Sequence, residues 1–273
     1  MHKSKLVLSG LTCLLSLTAV SVKADQLADI KNRGTLICGV LSTLEPFGYT
    51  DPQTRTVVGY DVDFCTAIAK HLGVKPELKQ LALDARIPEL SQGRVDVLAA
   101  VLGYNPARAT QIDFTYSYFL SEQKVAVQNE SGLKSLSDLD GKRVSSIKGS
   151  STQVMLRNSI PNVNVVSYDD APSAFMALTQ RKVDAFGLTE AMLRRFIAKL
   201  GSDSGMSVID TPVGKEYWGL GIKKEEPQLL AAVNTALKDM ETSGEAKQIF
   251  DKWLGQSSIY KMDRSFKIEP IAQ

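Results

Sequence analysis

In GYDVDFCTAIAKHL (59–72), apolar side chains fall at Phe64, Ala67, Ile68 and Leu72. That spacing of i, i+3, i+4 and i+8 draws one stripe along a helix, which Gly73 ends. Asp61 and Asp63 stand at its start, where carboxylates cap free N–H groups and meet the positive end of the helix dipole. We read both as scaffold. Upstream, GTLICGV (34–40) is a strand run. KRVSSIKGSSTQVML (142–156) repeats the order of strand, small-residue turn and helix. Helices over 227–241 and GEAKQIFDKWL (244–254) are predicted to finish the chain.

IPELSQGRVDVLAA (87–100) aligns with FMALTQRKVDAFGL (175–188) at an offset of 88 residues, matching Leu90 with Leu178, Gln92 with Gln180, Val95 with Val183 and Asp96 with Asp184. Each copy reads as a short helix, a polar turn and a strand introduced by Val-Asp. Two related α/β lobes follow, with mostly parallel sheets and ligands beyond the strands' carboxyl ends. We expect residues 25–124 plus 220–273 in lobe 1 and 125–219 in lobe 2. The chain is expected to cross near KVAVQ (124–128) and return near YWGLGIKK (217–224), giving a hinged cleft.

Residues 1–24 alter this picture only at the start. Lys3 and Lys5 precede the apolar run Leu6–Val20, and Val22-Lys23-Ala24 suits cleavage before Asp25, so the segment reads as an export signal. No second stretch approaches membrane length. Of 32 basic residues the signal holds Lys3, Lys5 and Lys23, so the mature chain has 29 against 30 acidic ones, a net charge of −1. Without Lys/Arg runs it offers no footprint for nucleic acid or an anionic membrane. Cys38 and Cys65 remain in a compartment that permits disulfides; either they are joined or they are two small buried residues.

Candidate chemistry gathers where strands end. In VLGYNPAR, Asn105 suits an N-cap and Pro106 the first helical position, leaving Arg108 in the first turn as a planar anchor for a carboxylate. Pairing with Asp113 is its ordinary alternative. In KGSSTQ, Gly149 permits close approach, while Ser150, Ser151 and Thr152 offer hydroxyls and backbone donors at a second helix start. Arg86 opens the first repeat's helix, within reach of a second anionic group or of a surface ion pair. Thr189 and Glu190 close the second repeat's strand, and Glu190 is a candidate partner for a ligand ammonium. Phe47, Tyr49 and Tyr104 can stack on a ligand or complete the core. One histidine in the mature chain, His71, and two unclustered cysteines do not make a zinc site. No nucleophile elbow or Walker loop appears, and no cofactor is expected.

Together VVGYDVDFCTAIAKHLG, RVDVLAAVLGYNPARATQIDFTYSY, SLSDLDGKRVSSIKGSST and TSGEAKQIFDKWLG resemble, in order, the periplasmic solute-binding proteins of polar amino-acid ABC transporters, bacterial family 3. PFGY, RIPELSQG, VDAF and AMLRRF are most similar to its glutamate/aspartate-binding branch. The resemblance implies a type II Venus-flytrap fold in the periplasm and delivery of a small carboxylate-bearing ligand to permease subunits. By position it implies that Arg108 grips the ligand α-carboxylate, that Ser150 and Ser151 add donors, and that Arg86 lies near a side-chain acid. Thr189 stands where the family usually has Asp, and Gly103 where it usually has Ser or Thr. We expect a monomer without enzymatic activity. The alternative is an enzyme resembling cyclohexadienyl dehydratase, with Glu190 as general acid.

Overall fold

The computed structural model describes residues 25–201, 203–260 and 262–271; the expected export signal lies outside them. In chain order, the first part comprises α1 (Gln26–Arg33), β1 (Thr35–Val40), β2 (Thr43–Leu44), β3 (Gly48–Thr50), β4 (Val57–Val58), α2 (Tyr60–His71), β5 (Lys75–Gln80), α3 (Arg86–Ser91), β6 (Val97–Leu98) and α4 (Pro106–Ala109). Strand β7 (Ile112–Gln128) leads into β8 (Arg143–Ile147), α5 (Ser151–Ser159), β9 (Asn164–Tyr168), α6 (Ala171–Thr179), β10 (Ala185–Thr189) and α7 (Glu190–Lys199). Strand β11 (Met206–Lys223) returns the chain to α8 (Pro227–Ser243) and α9 (Glu245–Trp253).

Eight strands lie in the order β5-β1-β6-β11-β7-β10-β8-β9. At one side β1 pairs in parallel with β5 and β6; at the other β8 pairs in parallel with β9 and β10. Between them β7 and β11, of 17 and 18 residues, run antiparallel. At about 3.3 Å per residue each spans roughly 55 Å, long enough to serve both halves. Gly221 and Ile222 of β11 meet β6, whereas Gln123–Val127 of β7 meet β10. The parallel sheets expected from the pattern are therefore joined by an antiparallel ribbon, which is irregular between Ile209 and Gly214.

The internal repeat has a physical basis. Asp96 accepts from the Ile37 N–H at 2.7 Å, tying the strand entrance to β1. Asp184 accepts from the Arg143 N–H at 2.8 Å and does the same for β8. One carboxylate in each half thus satisfies a backbone donor in the first half of a neighbouring parallel strand.

Two expectations about α2 change. Gly59, not an aspartate, occupies its N-cap. Asp61 is buried and turns into the core, accepting from the Val101 N–H at 2.8 Å and the Tyr118 hydroxyl at 2.7 Å. Asp63 accepts from the indole of Trp253 at 2.7 Å, joining α2 to α9. Both remain scaffold, through tertiary contacts instead of helix capping. Cys38 and Cys65 form a disulfide between β1 and α2.

Candidate functional site

The first half presents two buried arginines. Asn105 caps α4 by accepting from the Arg108 N–H at 2.8 Å, and Pro106 fills the first helical position. This local geometry turns Arg108 inward to 9% exposure. Its guanidinium donates to Gly103 O at 2.7 Å and to Gly149 O at 2.9 Å; Asp113 pairs with Lys224. Arg86 is 2% exposed and donates to the carbonyls of Leu83, Ala100, Val101 and Gly149 at 2.7, 2.7, 2.9 and 3.2 Å. Val101 has φ +45°, a left-handed conformation that a β-branched residue rarely adopts. The bond from its N–H to Asp61 helps hold it there, so Asp61 positions Arg86 through one strained peptide.

Burial and the charge of Arg108 pull Arg86 down to about 9, against the opposing effect of Glu216, Tyr118 and Asp61. Burial also lowers Arg108, against Glu216. Both guanidiniums are charged at neutral pH. Among the described residues neither hydrogen-bonds a carboxylate; both converge on the single carbonyl of Gly149.

Gly149 belongs to the turn between β8 and α5, in the opposite half. Its φ is +76°, and a Cβ there would stand 2.9 Å from the Asp84 Cα. The two halves touch at this point because no side chain intervenes. Around it lies a narrow cavity lined on one side by Leu44, Leu83, Arg86 and Val101, and on the other by Ile147, Ser150–Thr152, Leu188, Thr189 and Met192, with Gln123, Glu216 and Trp218 from the central ribbon. Its volume is about 30 Å³, room for about two waters. The halves are closed on each other, and the space between them holds nothing larger in this conformation.

Of the residues expected at the site, Arg86, Ser150, Ser151 and Thr189 line this cavity. Arg108 lies just behind, within reach through Gly149 O. The start of α5 adds the first-turn N–H groups, which lack partners inside the helix. Thr189 shares a hydrogen bond of 2.7 Å with Ser121. Gly103 forms the wall behind Glu216, without lining the cavity itself. Three candidates lie elsewhere. Phe47 is fully buried in the core, 4.7 Å from Trp218 between ring centroids. Tyr104 packs against Phe114 and faces a different hollow, beside Ile112 and Lys224. Glu190 ion-pairs with Lys124 at 2.9 Å and with Arg194. Partial burial pushes its carboxyl up, but bonds from Lys124 and Arg194 together outweigh that and hold it below its ordinary value. An ionised, paired carboxylate outside the cavity does not fit a general acid.

Glu216 and Gln123 were missed from sequence, whereas Thr152, read with Ser150 and Ser151 as a donor at the helix start, lines the cavity. Thr152 donates to Gln123 Oε1 at 2.7 Å; Gln123 Nε2 donates to Ser121 at 2.9 Å and to Glu216 Oε1 at 3.0 Å; Trp218 Nε1 also donates to Glu216 Oε1, at 2.8 Å. Period-two alternation over KEYWGLGI carried the signal. It puts Glu216 on the same face as Trp218, Leu220 and Ile222, all buried.

Two α/β halves on a shared two-strand ribbon, closing over buried cations, define a two-lobed binding-protein fold. The chain belongs to the bacterial extracellular solute-binding proteins, family 3, whose model matches residues 36–256. It is 30% identical over 260 residues to the L-cystine-binding protein TcyJ of Escherichia coli (strain K12), covering 93% of this chain and 97% of that protein. It is 28% identical over 257 residues to the L-glutamate/L-aspartate-binding protein of Pseudomonas aeruginosa, covering 88% and 85%. Among solved structures it resembles the ancestral amino acid-binding protein AncCDT-1, a precursor of cyclohexadienyl dehydratase, with a TM-score of 0.77 and 26% identity over 85% of this chain and 100% of that one. The glutamate/aspartate branch is thus one of several to which the chain is similar.

Proposed function

We propose that this chain is the periplasmic binding component of an ABC importer, capturing a small carboxylate-bearing amino acid between its lobes and presenting it to membrane permease subunits. The observation that carries the reading is the convergence of Arg86 and Arg108 on one neutral carbonyl across the cleft. Two buried cations sharing a dipole gain far more from an anion, which a guanidinium binds through paired charge-assisted hydrogen bonds. When the lobes part, Gly149 O withdraws and both groups lose that acceptor. A ligand carboxylate replaces it, with Ser150, Ser151 and the start of α5 as further donors.

Charge narrows the choice. Two guanidiniums face one carboxylate in the cavity wall, Glu216, so a ligand with net negative charge balances the site. A dicarboxylic amino acid meets that condition. Relatives named for cystine and for glutamate or aspartate support the amino-acid class. We assign residues 25–124 with 220–273 to one lobe and 125–219 to the other, with β7 and β11 as the crossings.

Isothermal titration with L-glutamate, L-aspartate, L-glutamine, L-cystine and L-arginine tests the proposal, alongside mass spectrometry of whatever co-purifies. The expected result is tightest binding of an acidic amino acid, with Arg108→Ala weakening it by roughly 2–5 kcal/mol, as for truncating one partner of a buried charge pair. Undiminished affinity in that variant removes Arg108 from the site. No binding of any of the five amino acids sinks the functional reading.

A further inference from the structure

Resting on that reading, we propose that Glu216 is the acceptor for the ligand's ammonium group, and that Gly103 makes this possible. Glu216 is 5% exposed and lines the cavity. Its Oε1 is held by Gln123 and Trp218, which fixes the side chain. Its Oε2 is buried with no hydrogen-bond partner among the described residues. A carboxylate oxygen so placed is costly, because burial has removed its water and nothing has replaced it. The group is therefore poised for a donor that arrives from outside.

Why the carboxylate can stand there follows from Gly103. A Cβ at that position would lie 2.0 Å from Glu216 Oε2 and 2.3 Å from its carboxyl carbon. Any side chain at 103 evicts the carboxylate from its present seat. Across the cleft wall, Thr189 and Ser121 spend their hydroxyls on each other, and Glu190 is committed to Lys124 and Arg194. Of the carboxylates in this part of the cleft, Glu216 alone among the described residues both lines the cavity and keeps an oxygen free. A cation of ammonium size, brought in by a ligand whose carboxylates lie on Arg86 and Arg108, completes its hydrogen bonding. The pair Gly103–Glu216 thus selects amino acids over amine-free acids of the same length.

The test compares L-glutamate with glutarate, its amine-free counterpart, on the wild type, Glu216→Gln and Gly103→Ala; where the wild type takes another amino acid of the panel, that acid and its deaminated analogue replace them. Glutamine at 216 keeps the shape and the acceptor for Gln123 and Trp218 but loses the charge. We expect wild-type preference for the amino acid, a loss of at least about 30-fold in its affinity in Glu216→Gln, and unchanged or improved binding of the amine-free acid. Gly103→Ala, which displaces the carboxylate without removing it, should move the ratio in the same direction. If Glu216 serves only as a counter-charge to the arginines, both ligands gain equally in Glu216→Gln and the ratio stays fixed; that result overturns the proposal while leaving the functional reading intact. A wild type that binds no amino acid overturns the functional reading, and this inference with it.

Discussion

At the scale of single residues, Asp61 shows how a side chain remote from the cavity can govern it. Burial pushes its carboxyl up to about 7, against hydrogen bonds from Tyr118 and Val101 and the charge of Arg86. Between about pH 4 and about 7 the folded chain holds a proton that the unfolded chain has released, so stability falls as pH rises through this window. The contribution is fully present only below about pH 4, and its ceiling is about 4 kcal/mol for a shift of this size. Asparagine imitates the protonated acid, keeping an acceptor for the Val101 N–H and offering its amide to Tyr118. Asp61→Asn should therefore flatten the fall in unfolding free energy between pH 4.5 and 7.5, measured by guanidinium titration against the wild type. Parallel slopes in the two proteins would mean that Asp61 titrates normally. Nothing local in GYDVDF reports this role. The same two acids fit a helix cap, and only the packing of α2 against Tyr118 and Val101 distinguishes the alternatives.

Elements were easier to read than their partners. The stripe through Phe64, Ala67, Ile68 and Leu72 found α2, and Val-Asp found β6 and β10, because both patterns are written within a few residues. The disulfide depended on tertiary geometry, since a strand and the following helix can pack with their cysteines together or apart. Joined, Cys38 and Cys65 close a loop with a sequence separation of 27 residues, worth about 3–4 kcal/mol by restriction of the unfolded chain. Paired replacement of both by alanine should lower the unfolding free energy by that order and leave ligand affinity unchanged, because neither residue lines the cavity. A melting point that does not move would show that the bridge constrains little. The candidate site divided in the same way. Arg108 was legible because Asn105 and Pro106 stand beside it in sequence. Glu216 was not, because Gly103 and Gln123, which seat it, lie about a hundred residues away in the chain, and a charged residue in a strand ordinarily reads as exposed.

On the proposed reading, the decisive quantity for the whole molecule is the balance between closed and open lobes. Glu45, between β2 and β3, accepts from Arg195 of α7 at 2.7 and 2.8 Å and pairs with Lys199 at 3.4 Å. Asp84 pairs with Lys148 across the cleft at 2.7 Å. These contacts, with the arginine bonds to Gly149 O, hold shut a conformation whose cavity of about 30 Å³ excludes an amino acid. On that reading, this closed conformation competes with ligand binding, and apparent affinity is reduced by the fraction of molecules not competent to bind. Partly exposed pairs of this kind contribute up to about 1 kcal/mol each. Glu45→Gln should accordingly enlarge the radius of gyration of the unliganded protein in small-angle scattering and raise its apparent affinity by as much as about fivefold. A fall in affinity would show instead that the Glu45–Arg195 pair persists around the ligand and stabilises the bound form. In that case the arginine bonds to Gly149 and the Asp84–Lys148 pair set the cost of opening, and the Glu45–Arg195 pair belongs to capture.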